Sequence, residues 1–226
     1  MFPIRDTIIS RRAPAITRLL ILLNVIVFFW QVRLGPAVEA AIYRFGVVPS
    51  HWVVSTPSDF FDWPQLFLTL LTSQFLHGGI LHLVFNMWYL WIFADNVEDR
   101  LGHVRFLLLY LGCGVAAAVT QLLITPRSAI PMIGASGAIA GVLGAYLLMF
   151  PTARIVTWVP LGFFMERIEL PAALFLGFWF LIQWFQGMTS IGRFTDVGGV
   201  AFWAHIGGFV GGMIAIALVR PRRGWR

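Results

Sequence analysis

Charged residues are scarce in this chain of 226 residues, and lysine is absent. Charged side chains make up 12% of the residues and apolar side chains 59%, and the mean hydropathy is +0.82. Soluble domains are nearer a quarter charged. The composition therefore excludes an ordinary soluble domain and indicates a chain whose solvent is a lipid bilayer.

Cysteine is equally scarce, with Cys113 as the single example. It lies within an apolar run, so an intrachain disulfide and a cysteine-based metal site are both excluded. The net charge of +6 comes from sixteen arginines that lie at the ends of apolar runs and in short connections. Because they form no basic stripe and no nucleic-acid motif, no nucleic-acid partner is expected. No small-residue cleavage site follows the first apolar run, which is expected to be a retained span.

Six stretches are apolar and long enough to cross a bilayer, which takes roughly 20 residues. They lie at about 15–32, 75–94, 106–124, 131–150, 170–189 and 198–219. Residues 63–74 are also uncharged and rich in Trp, Phe and Leu, and we expect them to lie along the interface or dip into it. The predicted fold class is all-α, a polytopic membrane bundle of six transmembrane helices. Residues 1–14 form a short cytoplasmic N-terminus, 15–220 the membrane domain and 221–226 a basic cytoplasmic tail.

Arginine placement predicts the orientation of this bundle. With the N-terminus in the cytoplasm, Arg33, Arg44, Arg127 and Arg193 lie outside and the other twelve arginines lie inside. Cytoplasmic connections carry the excess of basic residues, and six spans return the chain to its starting side. Both termini are therefore predicted to be cytoplasmic.

Four polar side chains fall at a similar predicted depth in three spans. His82 and Asn86 lie in the second, Ser136 in the fourth and His205 in the sixth, roughly 8 to 16 Å below the outer end at 1.5 Å per helical residue. His77 lies at the mouth of the second span. Polar groups within a membrane are costly and mark functional sites by default, and independent packing residues have no reason to share one depth.

These residue types supply the parts that nucleophilic hydrolysis needs: a nucleophile, a base and donors for the oxyanion. Ser136 is the candidate nucleophile and His205 the candidate base. His82, Asn86 and the backbone N–H of Ser136 are candidate donors. Since 131–150, 170–189 and 198–219 contain no carboxylate, a Ser–His dyad is expected. The tautomer of His205 must then be fixed by packing or by another hydrogen bond.

Other residues have simpler interpretations. Gly137 and Gly141 in the fourth span, and the pairs Gly207/Gly211 and Gly208/Gly212 in the sixth, have the spacing that lets helix backbones approach closely. Asn24 and Gln183 are expected to pack or to form interhelical hydrogen bonds. Glu166 and Glu169 are expected to be loop or interface charges near Arg167. A zinc site built from His77, His82 and His205 is the competing use of the histidines, but there is no His-Glu-x-x-His pattern and no carboxylate nearby.

Three motifs, in order along the chain, resemble those of the rhomboid family of intramembrane serine proteases. Residues 134–137 are Gly-Ala-Ser-Gly, residues 204–208 are Ala-His-Ile-Gly-Gly followed by Gly212, and residues 82–86 are His-Leu-Val-Phe-Asn. Residues 75–79 and 95–102 also resemble bacterial members. The resemblance extends from the first span to the last.

This resemblance implies particular roles for the matched residues. Ser136 is the implied nucleophile, His205 its base, and His82 and Asn86 belong to the oxyanion site, with Gly134 and His77 as further supporting candidates. It implies cleavage of transmembrane protein substrates near their outer ends within the lipid bilayer, with no cofactor and no metal. The implied location is the bacterial plasma membrane.

The chain departs from the family pattern at two places. Many members carry a Trp-Arg pair in the first external loop, whereas neither Trp52 nor Trp63 is followed by Arg. Some members have a Tyr that packs on the histidine, where this chain has Ala140. How the first loop is braced and how His205 is held therefore do not follow from the resemblance.

Two other function classes remain as alternatives at this point. A rhomboid-like scaffold would bind transmembrane clients without cutting them, and it is disfavoured by the presence of both Ser136 and His205. A proton-relaying transporter would use intramembrane histidines, but the chain has neither a carboxylate relay nor matching broken helices in two halves.

Overall fold

The computed structural model describes residues 2–53, 63–161, 164–190 and 201–219. Its elements in chain order are β1 (Phe2–Asp6), α1 (Ala15–Arg33), α2 (Val38–Phe45), α3 (Trp63–Thr72), α4 (Ile80–Leu101), α5 (His103–Ile124), α6 (Ser136–Met149), β2 (Arg154–Leu161), β3 (Phe164–Pro171), α7 (Ala172–Ser190) and α8 (Phe202–Leu218). The tail predicted at 221–226 and the external Arg193 lie outside the described residues.

Within the described residues, three helices are each long and apolar enough to cross a membrane, namely α1, α5 and α7. The segment Trp63–Phe75 is bent by 81° from Ile80–Leu101, so α3 and α4 together form a broken span or a re-entrant loop. The apolar helices α6 and α8 have 14 and 17 residues, or about 21 and 26 Å at 1.5 Å per residue. The predicted helical membrane bundle is confirmed. The predicted count of six spans exceeds the three or four that helix length and composition give in the part of the chain that the structure describes.

The helices that carry the candidate residues begin later than predicted. Helix α4 begins at Ile80 instead of residue 75, because Gly78 and Gly79 interrupt the chain after the preceding 3-10 turn. It also continues to Leu101, seven residues beyond the predicted end. Helix α6 begins at Ser136 and α8 at Phe202. The candidate side chains therefore lie in the first two turns of their helices, nearer the helix starts than predicted.

Helix α6 lies at the centre of the bundle, with every residue from Gly137 to Tyr146 buried. It crosses α8 at backbone contact distance. A Cβ atom added at Gly208 would overlap the carbonyl oxygen of Gly137, and one added at Gly212 would overlap that of Gly141. The predicted close approach of these glycines is confirmed. In a bilayer this contact stabilises helix association, because close backbones gain van der Waals contact that bulky side chains would prevent.

The connection between α1 and α3 is tied to the extended segment that precedes α6. Val47 and Met132 exchange two backbone hydrogen bonds, with N···O distances of 3.1 and 2.7 Å. Trp52 also packs edge-on against Phe67 of α3, with ring centroids 5.5 Å apart. Within the described part of this connection, backbone pairing and aromatic packing brace the loop, which has no Trp-Arg pair in its sequence.

A small antiparallel sheet in the order β1-β2-β3 lies at the end of the bundle where α6 ends and α7 begins. Strand β1 pairs with β2 from Phe2↔Trp158 to Asp6↔Ile155, and β2 pairs with β3 from Arg154↔Pro171 to Leu161↔Phe164. These strands were not predicted from the sequence. Glu166 and Glu169 are exposed as expected, but they lie in β3 instead of an irregular loop.

A polar network joins this end of α4 to the N-terminal segment. The buried carboxylate of Glu98 accepts hydrogen bonds from the backbone N–H groups of Ile16 and Thr17, both at 2.8 Å, and from the Thr17 hydroxyl at 2.6 Å. These amides belong to the first turn of α1, where intrahelical partners are lacking. Asp6 accepts hydrogen bonds from Tyr146 at the end of α6 and from Asn96, both at 2.6 Å. Residues 95–101, which were predicted to belong to a connection between two spans, therefore continue α4 and hold the N-terminal segment through buried polar contacts.

Candidate functional site: a serine and a histidine on crossing helices

Ser136 is the first residue of α6, directly after a glycine that its surroundings require. Gly134 has φ of +124°, a conformation that L side chains rarely adopt, and an added Cβ would lie 2.7 Å from Nε2 of His82. The N–H of Gly134 donates to the carbonyl of Ser73 at 2.9 Å. Gly134 thus turns the chain into α6 and lets His82 approach the backbone beside Ser136.

His205 lies in the first turn of α8 and faces Ser136. The distance from His205 Nε2 to Ser136 Oγ is 2.8 Å, within hydrogen-bond range. The nearby crossing of Gly137 and Gly208 sets the separation of the two helices at this level. The structure therefore brings together the candidate nucleophile and the candidate base, which are 69 positions apart in the sequence.

The other ring nitrogen of His205 has a partner on α7. Nδ1 of His205 lies 2.7 Å from Oε1 of Gln183, a buried side chain. Gln183 was expected from its position in the fifth apolar run to pack or to form an interhelical hydrogen bond, but His205 was not identified as its partner. The indole of Trp179, one turn earlier on α7, lies with its centroid 6.0 Å from the His205 ring at an interplanar angle of 35°. With Ala140 on α6, the aromatic neighbour of His205 comes from α7.

His82 and Asn86 lie across from Ser136 on one face of α4. Nδ1 of His82 accepts a hydrogen bond from the N–H of Gly78 at 3.3 Å, so the proton of a neutral His82 ring is on Nε2, the nitrogen beside Gly134. Nδ2 of Asn86 is buried and has no hydrogen-bond partner among the described residues. Two side-chain N–H donors are thus available in the region of Ser136.

His77 lies behind His82 and away from the pair formed by Ser136 and His205. Its ring centroid is 5.0 Å from that of His82, at an interplanar angle of 68°. Its backbone is clamped by Gln31, whose amide accepts from the N–H at 2.9 Å and donates to the carbonyl at 3.1 Å. His77 therefore supports His82 by packing. Among the described residues, no three His, Cys, Asp or Glu side chains are grouped in a way that could hold a metal ion.

An open cavity of about 860 Å³ connects these groups, at the end of the bundle where α4, α6 and α8 begin. Ser136, His205, His82, Asn86 and Gly134 all line it. The cavity has the size range of ligand pockets. It places a serine hydroxyl, a histidine acceptor and candidate oxyanion donors around one volume that a peptide segment could enter.

Comparison with known proteins identifies the family. The sequence model of the rhomboid domain matches residues 64–222. The chain is 31% identical over 213 residues to "Rhomboid protease GluP" of Bacillus subtilis, covering 93% of this chain and 36% of that protein. It is 32% identical over 158 residues to "RHOMBOID-like protein 6, mitochondrial" of Arabidopsis thaliana, covering 69% and 45%.

A third relative is "Putative rhomboid protease YdcA" of Bacillus subtilis, 34% identical over 122 residues, covering 50% of this chain and 59% of that protein. The matches thus span between about a third and three fifths of the length of these curated relatives. The domain match covers well over half of the chain and includes every candidate residue from His77 to His205. The chain is an integral membrane protein of the rhomboid family.

Proposed function

We propose that this protein is an intramembrane serine endopeptidase in which Ser136 is the nucleophile and His205 the general base. The observation that carries the proposal is the 2.8 Å contact between Ser136 Oγ and His205 Nε2 at the wall of an open cavity. A serine and a base within hydrogen-bond reach, with the base oriented by a third group, have the arrangement of an activated nucleophile. The rhomboid proteases among the relatives support the same activity.

The proposed reaction begins when a carbonyl carbon of the substrate enters beside Ser136. Oγ attacks this carbon as His205 Nε2 takes the hydroxyl proton, and a tetrahedral oxyanion forms. The protonated His205 then gives the proton to the leaving amine, and the peptide bond breaks to leave an acyl-enzyme. A water molecule from the cavity then attacks the acyl carbon as His205 takes its proton. His205 returns that proton to Ser136 Oγ as the acyl–oxygen bond breaks, which releases the acid product and restores both residues.

The oxyanion would be met by three N–H donors. They are the backbone N–H of Ser136 in the first turn of α6, Nε2 of His82 and Nδ2 of Asn86. The buried Nδ2 of Asn86 lacks a protein partner within the described residues, as expected of a donor that is satisfied when the oxyanion forms.

The proposed substrates are transmembrane proteins cut near their outer ends. A helical substrate must unwind before attack because its carbonyls are engaged in intrahelical hydrogen bonds. The cavity lies at the starts of α4, α6 and α8, which all run from outside to inside if the chain crosses six times with both termini in the cytoplasm. Arginine placement supports that topology. It would put the cleavage layer near the outer face of a plasma membrane.

The test is cleavage of a single-span substrate protein in liposomes by the native protein and by Ser136→Ala and His205→Ala. Matched controls are Ser190→Ala, at the end of α7, and His51→Ala, an exposed histidine in the first external connection. Cleavage by the native protein and both controls, with loss in both site variants, supports the proposal. Undiminished cleavage by Ser136→Ala contradicts it.

A non-catalytic scaffold that holds transmembrane clients is the alternative function. The same experiment separates the two when substrate capture is measured together with cleavage. In a scaffold, the native protein and Ser136→Ala would retain the uncut substrate equally well, and neither would release a fragment. The paired geometry of Ser136 and His205 favours the enzyme, because a scaffold has no need of a hydrogen-bonded nucleophile and base.

A further inference from the structure

Helix α7 contributes a buried polar side chain that points at the histidine from the side opposite the serine. The buried residues of α7 are Ala172, Phe175, Leu176, Gln183 and Gly187, so Gln183 is the one polar member of that set. Its Oε1 lies 2.7 Å from His205 Nδ1. A buried amide in an apolar helix is costly unless it is hydrogen-bonded. The contact with His205 Nδ1 supplies a hydrogen bond to the Gln183 amide oxygen.

The chemistry of this contact decides which nitrogen of His205 carries the proton. An amide oxygen can only accept a hydrogen bond, so the Nδ1 that faces it must be the donor. A neutral imidazole with its proton on Nδ1 has its lone pair on Nε2. Nε2 is the nitrogen that lies 2.8 Å from Ser136 Oγ and has to accept the serine proton. The opposite tautomer would direct two lone pairs at each other on the Gln183 side and leave no acceptor for Ser136.

Helix α7 also holds the plane of the ring. Trp179 and Gln183 are four residues apart and therefore lie on the same face of α7. The Trp179 ring lies 6.0 Å from the ring of His205 and 5.9 Å from that of Phe209, one turn further along α8. Since residue 140 on α6 is alanine, α7 supplies both the aromatic neighbour of His205 and its hydrogen-bond acceptor.

We infer that Gln183 is the positioning residue of the Ser136–His205 pair, fixing the tautomer and rotation of His205 as a neutral counterpart of the aspartate in a serine-protease triad. The inference rests on the proposed protease function. As an amide, Gln183 orients the ring before attack and continues to accept from Nδ1–H when the ring is protonated. It adds no negative charge, so its removal should cost less than the roughly 10⁴-fold loss seen when a triad aspartate is replaced.

The experiment compares three variants in liposomes. Gln183→Leu removes the acceptor at similar volume, Gln183→Glu keeps an acceptor in the same place, and Gln186→Leu is the control on the exposed side of α7. We expect kcat of Gln183→Leu to fall roughly tenfold to a hundredfold, with KM changed less than about twofold because substrate contacts remain. Gln183→Glu should recover most of the loss, and Gln186→Leu should match the native protein.

NMR spectroscopy identifies the tautomer of His205 without any substrate. Protein labelled with ¹⁵N-histidine is placed in lipid nanodiscs, and the His205 signals are assigned by their loss in His205→Asn. We expect the Nδ1–H tautomer in the native protein and in Gln186→Leu, and a larger Nε2–H population in Gln183→Leu. Native kcat in Gln183→Leu, or an Nε2–H tautomer in the native protein, overturns the inference.

The cleavage assay and the NMR experiment together distinguish failure of this inference from failure of the proposed function. If the native protein shows no Ser136-dependent cleavage, the protease proposal fails and, with it, the catalytic role of Gln183. If Ser136-dependent cleavage is intact but Gln183→Leu keeps both the native kcat and the native tautomer, the positioning role alone fails.

Discussion

Replacing Gly208 by alanine tests whether the α6–α8 crossing sets the distance between Ser136 and His205. A Cβ at residue 208 would overlap the carbonyl oxygen of Gly137, which is backbone and has no flexible side chain to move aside. Ordinary van der Waals contact is restored only when the two helices move apart by more than about 1 Å. Gly137 follows Ser136 directly and Gly208 is one turn after His205, so the same displacement acts on their contact.

The expected loss of kcat follows from the distance between Ser136 Oγ and His205 Nε2. An Oγ–Nε2 separation of 2.8 Å, increased by roughly 1 Å, exceeds the range of a hydrogen bond. A misplacement of that size costs about a hundredfold in rate, and we expect that loss in kcat for Gly208→Ala. Gly112→Ala on α5 is the matched control, because a Cβ there meets nothing within 4 Å.

The assay is single-turnover cleavage in liposomes, with the thermal unfolding midpoint of each variant measured in the same lipid. Gly112→Ala should cleave at the native rate. Gly208→Ala with native kcat and a native midpoint would refute the argument, because the bundle would then have accommodated a methyl group without moving the two residues apart. If the midpoint alone falls and kcat is unchanged, the crossing stabilises the fold but does not set the reaction geometry.

Three further predictions concern single side chains. Asn86→Ala should lower kcat by about a hundredfold, or roughly 3 kcal/mol of barrier, with little change in KM, measured beside Asn24→Ala as a control. Glu98→Ala should lower the thermal midpoint and Glu98→Gln lower it less, because two amides of α1 lose their carboxylate partner. Burial, partly opposed by the Tyr146 hydrogen bond, raises the pKa of Asp6 from its usual value near 4 to about 6. The folded protein then holds a proton that the unfolded chain releases, so stability should fall from about pH 4 to pH 6, and midpoints of Asp6→Asn should lack that slope.

The candidate site could be predicted from the sequence because polar side chains are energetically costly within a membrane. Polar residues within apolar runs stand out, and the order of the runs placed Ser136, His205, His82 and Asn86 in one layer. The structure brings these four side chains around one cavity, although each lies closer to its helix start than predicted. The close backbone crossing was also predictable, because glycines four residues apart have a direct steric meaning.

The contact between Gln183 and His205 could not be predicted, because the composition of α7 does not show how the helix is rotated about its axis. Helix α7 carries two glutamines three residues apart, Gln183 and Gln186, and only the packing shows that Gln183 is the buried one that contacts α8. The sheet was missed for a different reason. Strand β1 pairs with residues about 150 positions away, and a five-residue strand without its partner gives no periodic signal.

The pairing of β1 with β2 also has a consequence for the order of synthesis. Residues 2–6 leave the ribosome well before their sheet partner at 155–158, which lies about 150 residues later in the chain. At 5 to 20 residues per second, β1 waits roughly 8 to 30 s with its backbone groups exposed to water or to other chains. The strand can join the sheet only after the helix that begins with Ser136 has been made. Closure of this sheet is therefore a late step in the assembly of this domain, and it joins residues 2–6 to the β2–β3 hairpin between α6 and α7.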